Sequence, residues 1–325
     1  FGDHLGYYSL QHPFPVMKVH KVYARKNAIW AFTVVGRPPQ EDTSFGELIH
    51  AMTGDAVSNE IPGVKEVHAV DAAGVHPLLL AIGSERYTPF LENKAPAELL
   101  TIANHILGTG QLSLAKFVWI TAPQTKKGEQ LSTHNVPAFF KYMMERMDLK
   151  RDVHFYTKTT MDTLDYSGEG LNAGSKVVIA AYGDVKRNLA TTVPARLLDL
   201  NMDACIVMPG VIAVNASTYT TAALQNALIG QGEALLAQEG VVFIVRTEDP
   251  KWMASALNNF LWAAFTRTNP SHDIEAIDAF TINKHWGAKG PLVFDATIKP
   301  HHAPPVLKDA AVEKRVDAIL EKYGY

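Results

Sequence analysis

The chain has 325 residues, is 47% hydrophobic and carries a net charge of −3 with both signs mixed along its length. That length suggests about two domains with a large buried core. There is no basic stripe to track phosphates, which argues against nucleic acid, and no apolar run approaches the roughly 20 residues that span a bilayer. No charged-then-apolar leader is visible, so the expectation is a soluble, cytoplasmic protein. The first residue is Phe1 rather than Met, and the chain is expected to be a fragment, a processed product or a trimmed form. The single cysteine, Cys205, lies in the apolar run Ala204–Met208 and reads as a small core residue rather than a nucleophile.

The chain opens on Phe1-Gly2-Asp3-His4-Leu5-Gly6-Tyr7-Tyr8, a carboxylate, a histidine and two tyrosines set among glycines. Glycine lets a backbone bend close to a ligand, and a carboxylate can move protons. A polar turn at a chain start is an equally good reading of these residues alone. Phe14–Tyr23 and Ala28–Val35 are rich in β-branched and aromatic residues around Arg25-Lys26-Asn27 and predict a β-hairpin. Gly36-Arg37-Pro38-Pro39 ends the second strand, because proline cannot continue a central ladder, and a helix is expected from about Phe45 to Met52. From Pro62 onward apolar strands (Val64–Val70, Leu78–Ile82) alternate with helical stretches (Ala95–Leu107), which predicts an α/β layer architecture. Ser84–Lys94 is polar and reads as a loop.

The second half repeats the first. Lys116–Thr121 predicts a strand, followed by a helix with Val136, Phe139, Phe140, Met143, Met144 and Met147 on one face. Val242–Thr247 predicts another strand, followed by a helix with Leu257, Phe260, Leu261, Ala264 and Phe265 on one face. Arg146-x-Asp148 with Asp152-Val153 matches Arg267-x-Asn269 with Asp273-Ile274. Gly174-Ser175-Lys176 before Val177–Ala181 looks like Gly287-Ala288-Lys289 before Leu292–Ala296. A duplicated domain explains these matches better than a solenoid does. After the breaker run His301-His302-Ala303-Pro304-Pro305, Leu307–Tyr325 reads as a terminal helix.

Several familiar motifs fail. Gly108-Thr109-Gly110 and Gly230-Gln231-Gly232 each follow a helix, whereas a dinucleotide fingerprint needs a strand before the glycines. Glu47 and His50 have a di-metal spacing without a second copy. His301-His302 reads as solvated. No Gly-x-Ser-x-Gly elbow is present.

Phe1-Gly2-Asp3-His4-x-Gly6-Tyr7, Pro15-Val16 and Val35-Gly36-Arg37-Pro38-Pro39 resemble the central signature of UbiD-type decarboxylases. Gly108-x-Gly110-Gln111, Lys116-Phe117, Asp162-x-Leu164-Asp165 and Asp295-Ala296-Thr297 extend the likeness over nearly the whole chain. The resemblance implies an α/β protein: the end of a split β-barrel over 1–54, α/β domains over 55–185 and 186–306, and a C-terminal helix over 307–325. It implies prenylated FMN with Mn2+ and K+, whose ligands it places mostly upstream of this chain. It implies addition or removal of carbon dioxide at unsaturated or aromatic acids, with the flavin as electron sink. Asp3 would be the acid that reprotonates the product carbon, helped by a dry pocket that raises its pKa. Its usual Glu and Arg partners would also lie upstream. His4, Phe45, Gln111, Leu112, Ser113, Met161 and Thr163 would face the substrate, the last two from a lid. The same likeness implies a homodimer or higher homo-oligomer, supplied with cofactor by a prenyl-FMN synthase. The Trp286-Gly287-x-Lys289-Gly290 run resembles longer relatives of the futalosine route to menaquinone, which makes a dihydroxynaphthoate the first substrate expectation, ahead of a 4-hydroxy-3-polyprenylbenzoate of ubiquinone biosynthesis. The alternative is a non-catalytic assembly module.

Overall fold

In the computed structural model the description covers residues 1–31, 35–38, 40–92, 94–123, 131–199, 203–216 and 239–324. The apolar runs become strands buried on both faces, as parallel strands covered by helices must be. The first sheet contains β1 (Glu66–Ala69), β2 (Leu78–Ile82), β3 (Phe117–Thr121), β4 (Val153–Thr160) and β5 (Ala173–Ala181), in the order β1-β2-β3-β5-β4. The second contains β6 (Cys205–Met208), β7 (Val211–Asn215), β8 (Phe243–Thr247), β9 (Ile274–Ala276) and β12 (Leu292–Asp295), in the order β6-β7-β8-β12-β9. Each sheet has three parallel central strands and an antiparallel strand at either edge. Phe117 lies between Leu78 and Val177 in the first, and Phe243 lies between Val211 and Leu292 in the second.

The same strand order is matched in the helices. The helix α3 (Val136–Arg146) starts at Asn135, whose side chain accepts the Ala138 amide, and buries Phe139, Phe140, Met143 and Met144. Its counterpart α6 (Leu257–Arg267) buries Phe260, Leu261, Ala264 and Phe265. After each helix the chain closes with the same bond: the Asp148 amide donates to Asp152 Oδ2 at 2.8 Å, and the Asn269 amide donates to Asp273 Oδ2 at 2.7 Å. The inner faces of both sheets and these two helices form one core, with Trp119, Phe117, Phe140, Phe243, Phe265 and Phe294 in mutual ring contact. The outer face of the first sheet is covered by α2 (Glu98–Gly108) through Leu99, Ile102 and Ile106. On the outer face of the second, Leu197 of α4 (Ala195–Asp199) packs with Ile212, Val214, Ile244 and Val293.

One part of the proposed repeat is misaligned. The register makes Val177 equivalent to Leu292, so Lys176 falls on Pro291 and not on Lys289. Gly287 and Ala288 belong instead to an inserted hairpin, β10 (Ala279–Ile282) and β11 (His285–Ala288), that pairs with neither large sheet. Asn283 and Lys284 form its two-residue turn with φ of 50° and 67°, the backbone of a type I′ turn.

The hairpin expected over 14–35 is not formed. Residues 9–31 carry no strand, and Val16, Ile29 and Trp30 are 95%, 98% and 86% exposed. Among the described residues no strand pairs with this stretch, and a lone two-stranded hairpin gains too little burial to hold itself together; residues 32–34 of the expected hairpin lie outside the described ones. The first helix, α1 (Asp42–Glu60), is longer than expected, and the terminal helix α8 (Ala310–Tyr323) is capped by Asp309 and by Gly324 at φ 81° with none of its residues buried. Cys205 sits half-buried on edge strand β6, where burial, foremost among the causes, pushes its thiol pKa up and away from nucleophilic character. No helix among the described residues is long and apolar enough to cross a membrane.

Candidate active site

The segment Phe1–Tyr8 is held by the second half of the molecule. Leu5 is 1% exposed and its carbonyl accepts the Trp262 indole N–H at 2.8 Å. The Tyr7 ring stacks on Trp262 at 5.2 Å, and its hydroxyl pairs with Thr266 Oγ1 at 2.7 Å and accepts from Arg267 Nε at 3.3 Å. Tyr8 N donates to the Pro304 carbonyl and Val306 N donates to that of Gly6. Two glycines make this fit possible. Gly6 has φ 85°, and a Cβ there would stand 2.9 Å from Arg37 Cα; Gly74 has φ 86°, and a Cβ there would stand 2.6 Å from Leu5 Cδ2.

This clamp fixes Asp3. Its backbone closes a turn with Gly6 N and Tyr7 O, and Oδ1 accepts the Leu5 amide at 2.9 Å. The residue is 2% exposed, and Oδ2 has no hydrogen-bond partner among the described residues. Burial pushes the Asp3 pKa up, the Leu5 amide and His4 pull it back, and the nearby Asp162 charge pushes it further up.

His4 leads to a cluster. His4 Nε2 lies 3.4 Å from Asp162 Oδ2, and His76 Nδ1 hydrogen-bonds the same oxygen. The two imidazoles meet edge to face with centroids 5.3 Å apart. Asp162 Oδ1 accepts the Leu164 amide at 2.9 Å. Burial alone would raise the Asp162 pKa; hydrogen bonds from His4, His76 and Leu164 override it and hold the carboxyl well below the usual carboxylate range.

Beneath this lies a buried ion pair. Lys116 Nζ stands 2.7 Å from Asp165 Oδ2 and donates to Ser167 Oγ at 2.8 Å, with both charged side chains at most 3% exposed. Burial lowers the Lys116 pKa, and Asp165 opposes that shift. A small void nearby is lined by Leu5, Tyr7, Ser167, Thr266 and His302. His302 is therefore not the solvated residue expected. Its Nε2 is buried without a partner among the described residues, and burial, with Lys299, His301, Lys116 and Arg267 around it, lowers its pKa to about 3.

The remaining expected residues distribute unevenly. Met161 is buried, with its sulfur against Gly174 and Gly168, so it packs the base of the 161–174 loop. Thr163 is exposed, and its hydroxyl accepts from Asn172 Nδ2 at 2.7 Å. Phe45 is 47% exposed on the first turn of α1. Gln111, Leu112 and Ser113 form the 3-10 turn Gly110–Leu114 after α2; Leu112 packs on the outer face of the first sheet, and Ser113 Oγ donates to the Gly110 carbonyl. Among the described residues no hydrogen bond, ion pair or ring contact links Phe45 or Gln111–Ser113 to Asp3. Gly108 closes α2, so its glycine pair follows a helix as expected; Gly230–Gly232 and the His50 side chain lie outside the described ones. His76 does not stand out in the sequence, because it lies far along the chain from Asp162. The only local signal is Gly74-Val75 before it, where Val75 adopts φ 68°, a strained value for a β-branched residue.

The residues around Asp3 bear on the flavin that the resemblance implies. Asp3 is a dry carboxyl with a free oxygen, suited to proton delivery. Three cations near it are engaged: Lys116 with Asp165, Arg267 with Tyr7 and Glu248, and Arg37 lies 4.2 Å over the Trp262 ring while donating to Asn259.

Comparison with known proteins agrees with the signature. Residues 1–38 match the 3-octaprenyl-4-hydroxybenzoate carboxy-lyase Rift-related domain of UbiD, and residues 43–181 match the C-terminal domain of the same carboxy-lyase. A protein of Chlamydia trachomatis is 32% identical over 99% of this chain and 52% of its own length. A Chlamydia pneumoniae protein named as a subunit of 4-hydroxybenzoate decarboxylase is 31% identical, again over 99% of this chain and 52% of its own. The chain thus spans about half the length of the curated relatives it matches. Among solved structures, the vanillic acid decarboxylase of Sedimentibacter hydroxybenzoicus aligns over 47% of this chain and 29% of its own, with 17% identity and a TM-score of 0.37. A UbiD-class enzyme of Pelotomaculum thermopropionicum in complex with FMN aligns over 46% and 30%, with 16% identity and a TM-score of 0.33. The two domain matches and the Asp3 signature together place this chain in the UbiD decarboxylase family.

Proposed function

We propose that this chain is part of a prenylated-FMN-dependent (de)carboxylase in which Asp3 delivers the proton that replaces departing carbon dioxide. The observation that carries the reading is the state of Asp3: a buried carboxyl, locked through Oδ1 and its backbone, with Oδ2 left free. Decarboxylation leaves electrons on carbon, which the flavin accepts when bound. What this chain adds is the acid and its surroundings. Burial favours the neutral, proton-carrying form of Asp3, and the Trp262–Tyr7 clamp fixes its position. Such positioned general acids contribute about 10²–10⁴-fold in rate. The substrate class proposed is a hydroxy-aromatic acid, in keeping with the name of the Chlamydia pneumoniae relative. A dihydroxynaphthoate of menaquinone biosynthesis is the first candidate within it, and a 4-hydroxy-3-polyprenylbenzoate the second. The proposal includes a cytoplasmic homodimer that receives its flavin from a prenyl-FMN synthase, Mn2+ and K+ bound by residues other than those described, His4 at the substrate, and Phe45, Gln111–Ser113, Met161 and Thr163 joining it on closure. The division into 1–54, 55–185, 186–306 and 307–325 belongs to the same reading.

The second reading, an assembly module without chemistry of its own, is favoured by the engaged state of Lys116, Arg37 and Arg267, which leaves none of them for a phosphate. The test is co-expression with a prenyl-FMN synthase, of this chain and of the chain extended upstream to its native start. Flavin absorbance and carbon dioxide release from hydroxy-aromatic acids by the extended form support the enzyme. An extended form that folds and takes up no flavin supports the module.

A further inference from the structure

The His4–His76–Asp162 cluster has a use that the decarboxylase reading does not assign. We propose that these three side chains form a binding site for a divalent transition-metal ion, for which Zn2+ is the natural probe. The inference does not depend on the decarboxylase reading, and it is separate from the Mn2+ of the UbiD family, whose ligands the resemblance places mostly upstream of this chain.

One ring nitrogen each of His4 and His76 and one carboxylate oxygen of Asp162 lie within 4.8 Å of one another. Two imidazoles with one carboxylate is a donor set suited to zinc and neighbouring metals, whose bonds to such ligands are roughly 2.0–2.2 Å long. The side chains are 18%, 24% and 11% exposed, so the site is shielded but open to an entering ion.

Each ligand is held from a different part of the chain. The His4 carbonyl accepts from Gln40 Nε2 at 3.1 Å, within the segment clamped by Trp262. The His76 amide donates to the Gly74 carbonyl at 2.9 Å and its carbonyl accepts the Lys116 amide at 3.2 Å. Asp162 uses Oδ1 for the Leu164 amide, which leaves Oδ2 turned to both imidazoles. These contacts fix the backbone from which the two imidazoles project and, through Oδ1, the Asp162 carboxyl itself. Beside the cluster, Oδ2 of Asp3 is buried without a hydrogen-bond partner among the described residues.

The experiment is calorimetric titration of the metal-free chain with Zn2+, repeated on His76→Ala, Asp162→Asn and, as a control on the exposed face of α2, His105→Ala. Circular dichroism establishes that each variant is folded; should His76→Ala not fold, His76→Gln replaces it. We expect one Zn2+ per chain, a visible ligand-field spectrum when Co2+ is substituted, and a metal-dependent rise in melting temperature. Loss of a ligand should weaken Zn2+ at least about 100-fold, since loss of an outer contact alone costs about 10–100-fold. His105→Ala should bind as the wild type does. Failure of the wild-type chain to bind stoichiometric Zn2+, or equal binding by folded His76 and Asp162 variants, overturns the proposal.

Discussion

The two halves of the molecule share a strand order and a helix-closing bond but spend the same positions differently. Lys116 and Val242 are equivalent: each carbonyl accepts the matching amide of the neighbouring strand, Val177 N at 3.0 Å and Leu292 N at 2.9 Å. One half places a buried ammonium there and the other a fully buried valine. Valine shows that the fold itself needs no charge at this point, so the Lys116–Asp165 pair is a local addition beside the candidate site. The helices differ in the same way. Lys141 and Glu145 of α3 form an i,i+4 ion pair with the lysine side exposed, while Trp262 and Thr266 occupy the matching positions of α6 and hold Leu5 and Tyr7. One surface faces water and its counterpart has become the dock for the segment carrying Asp3.

The largest expected effects come from breaking the features found in one half alone. Asp165→Ala leaves Lys116 buried without a counter-charge and should cost about 3–5 kcal/mol in urea unfolding, whereas the paired change Lys116→Met with Asp165→Leu, which imitates the valine of the other half, should recover most of it. Equal losses in both variants would mean that the ion pair supports the fold itself. Trp262→Ala removes the stack on Tyr7 and the bond to Leu5, with an expected cost of about 3–5 kcal/mol. It should also release residues 1–8 to rapid amide exchange, and persistent protection there would refute the clamp. Gly6→Ala forces a Cβ against Arg37 at a left-handed backbone position and should cost about 1–3 kcal/mol, read from the urea midpoint. His302 supplies a pH test. Its folded pKa of about 3 lies below its ordinary 6.5, so the stability it contributes is complete above about pH 6.5 and is lost as pH falls toward 3. Its ring signals in an NMR titration should stay those of a neutral imidazole down to about pH 4. Smallest of all, Lys141→Ala should change stability by less than about 1 kcal/mol, because exposed ion pairs contribute little. A larger loss would erase the contrast with Trp262.

The repeat is legible in the sequence wherever burial follows periodicity. Leu78–Ile82 and the stripes of Phe139 and Phe260 point to the elements that the structure contains, because each depends on its own local pattern. The Asp148–Asp152 and Asn269–Asp273 pairs are visible as matched letters. The lysine match fails because strand register, set by pairing across the sheet, cannot be read along one strand. Residues 14–31 have the composition of strands, yet a strand also needs a partner. Of the candidate site, Asp3 and His4 stand out through their signature. His76 does not, since it reaches Asp162 only through the fold, and the dock on Trp262 is hidden inside an ordinary amphipathic helix.

The central claim is that the clamped carboxyl of Asp3 is the proton donor. The direct test is the rate of carbon dioxide release from a hydroxy-aromatic acid by the flavin-loaded, upstream-extended protein, compared among wild type, Asp3→Asn and Asp3→Glu. The account predicts a loss of about 10²-fold or more in Asp3→Asn with flavin retained, and partial recovery in Asp3→Glu. Release by Asp3→Asn at the wild-type rate would contradict it.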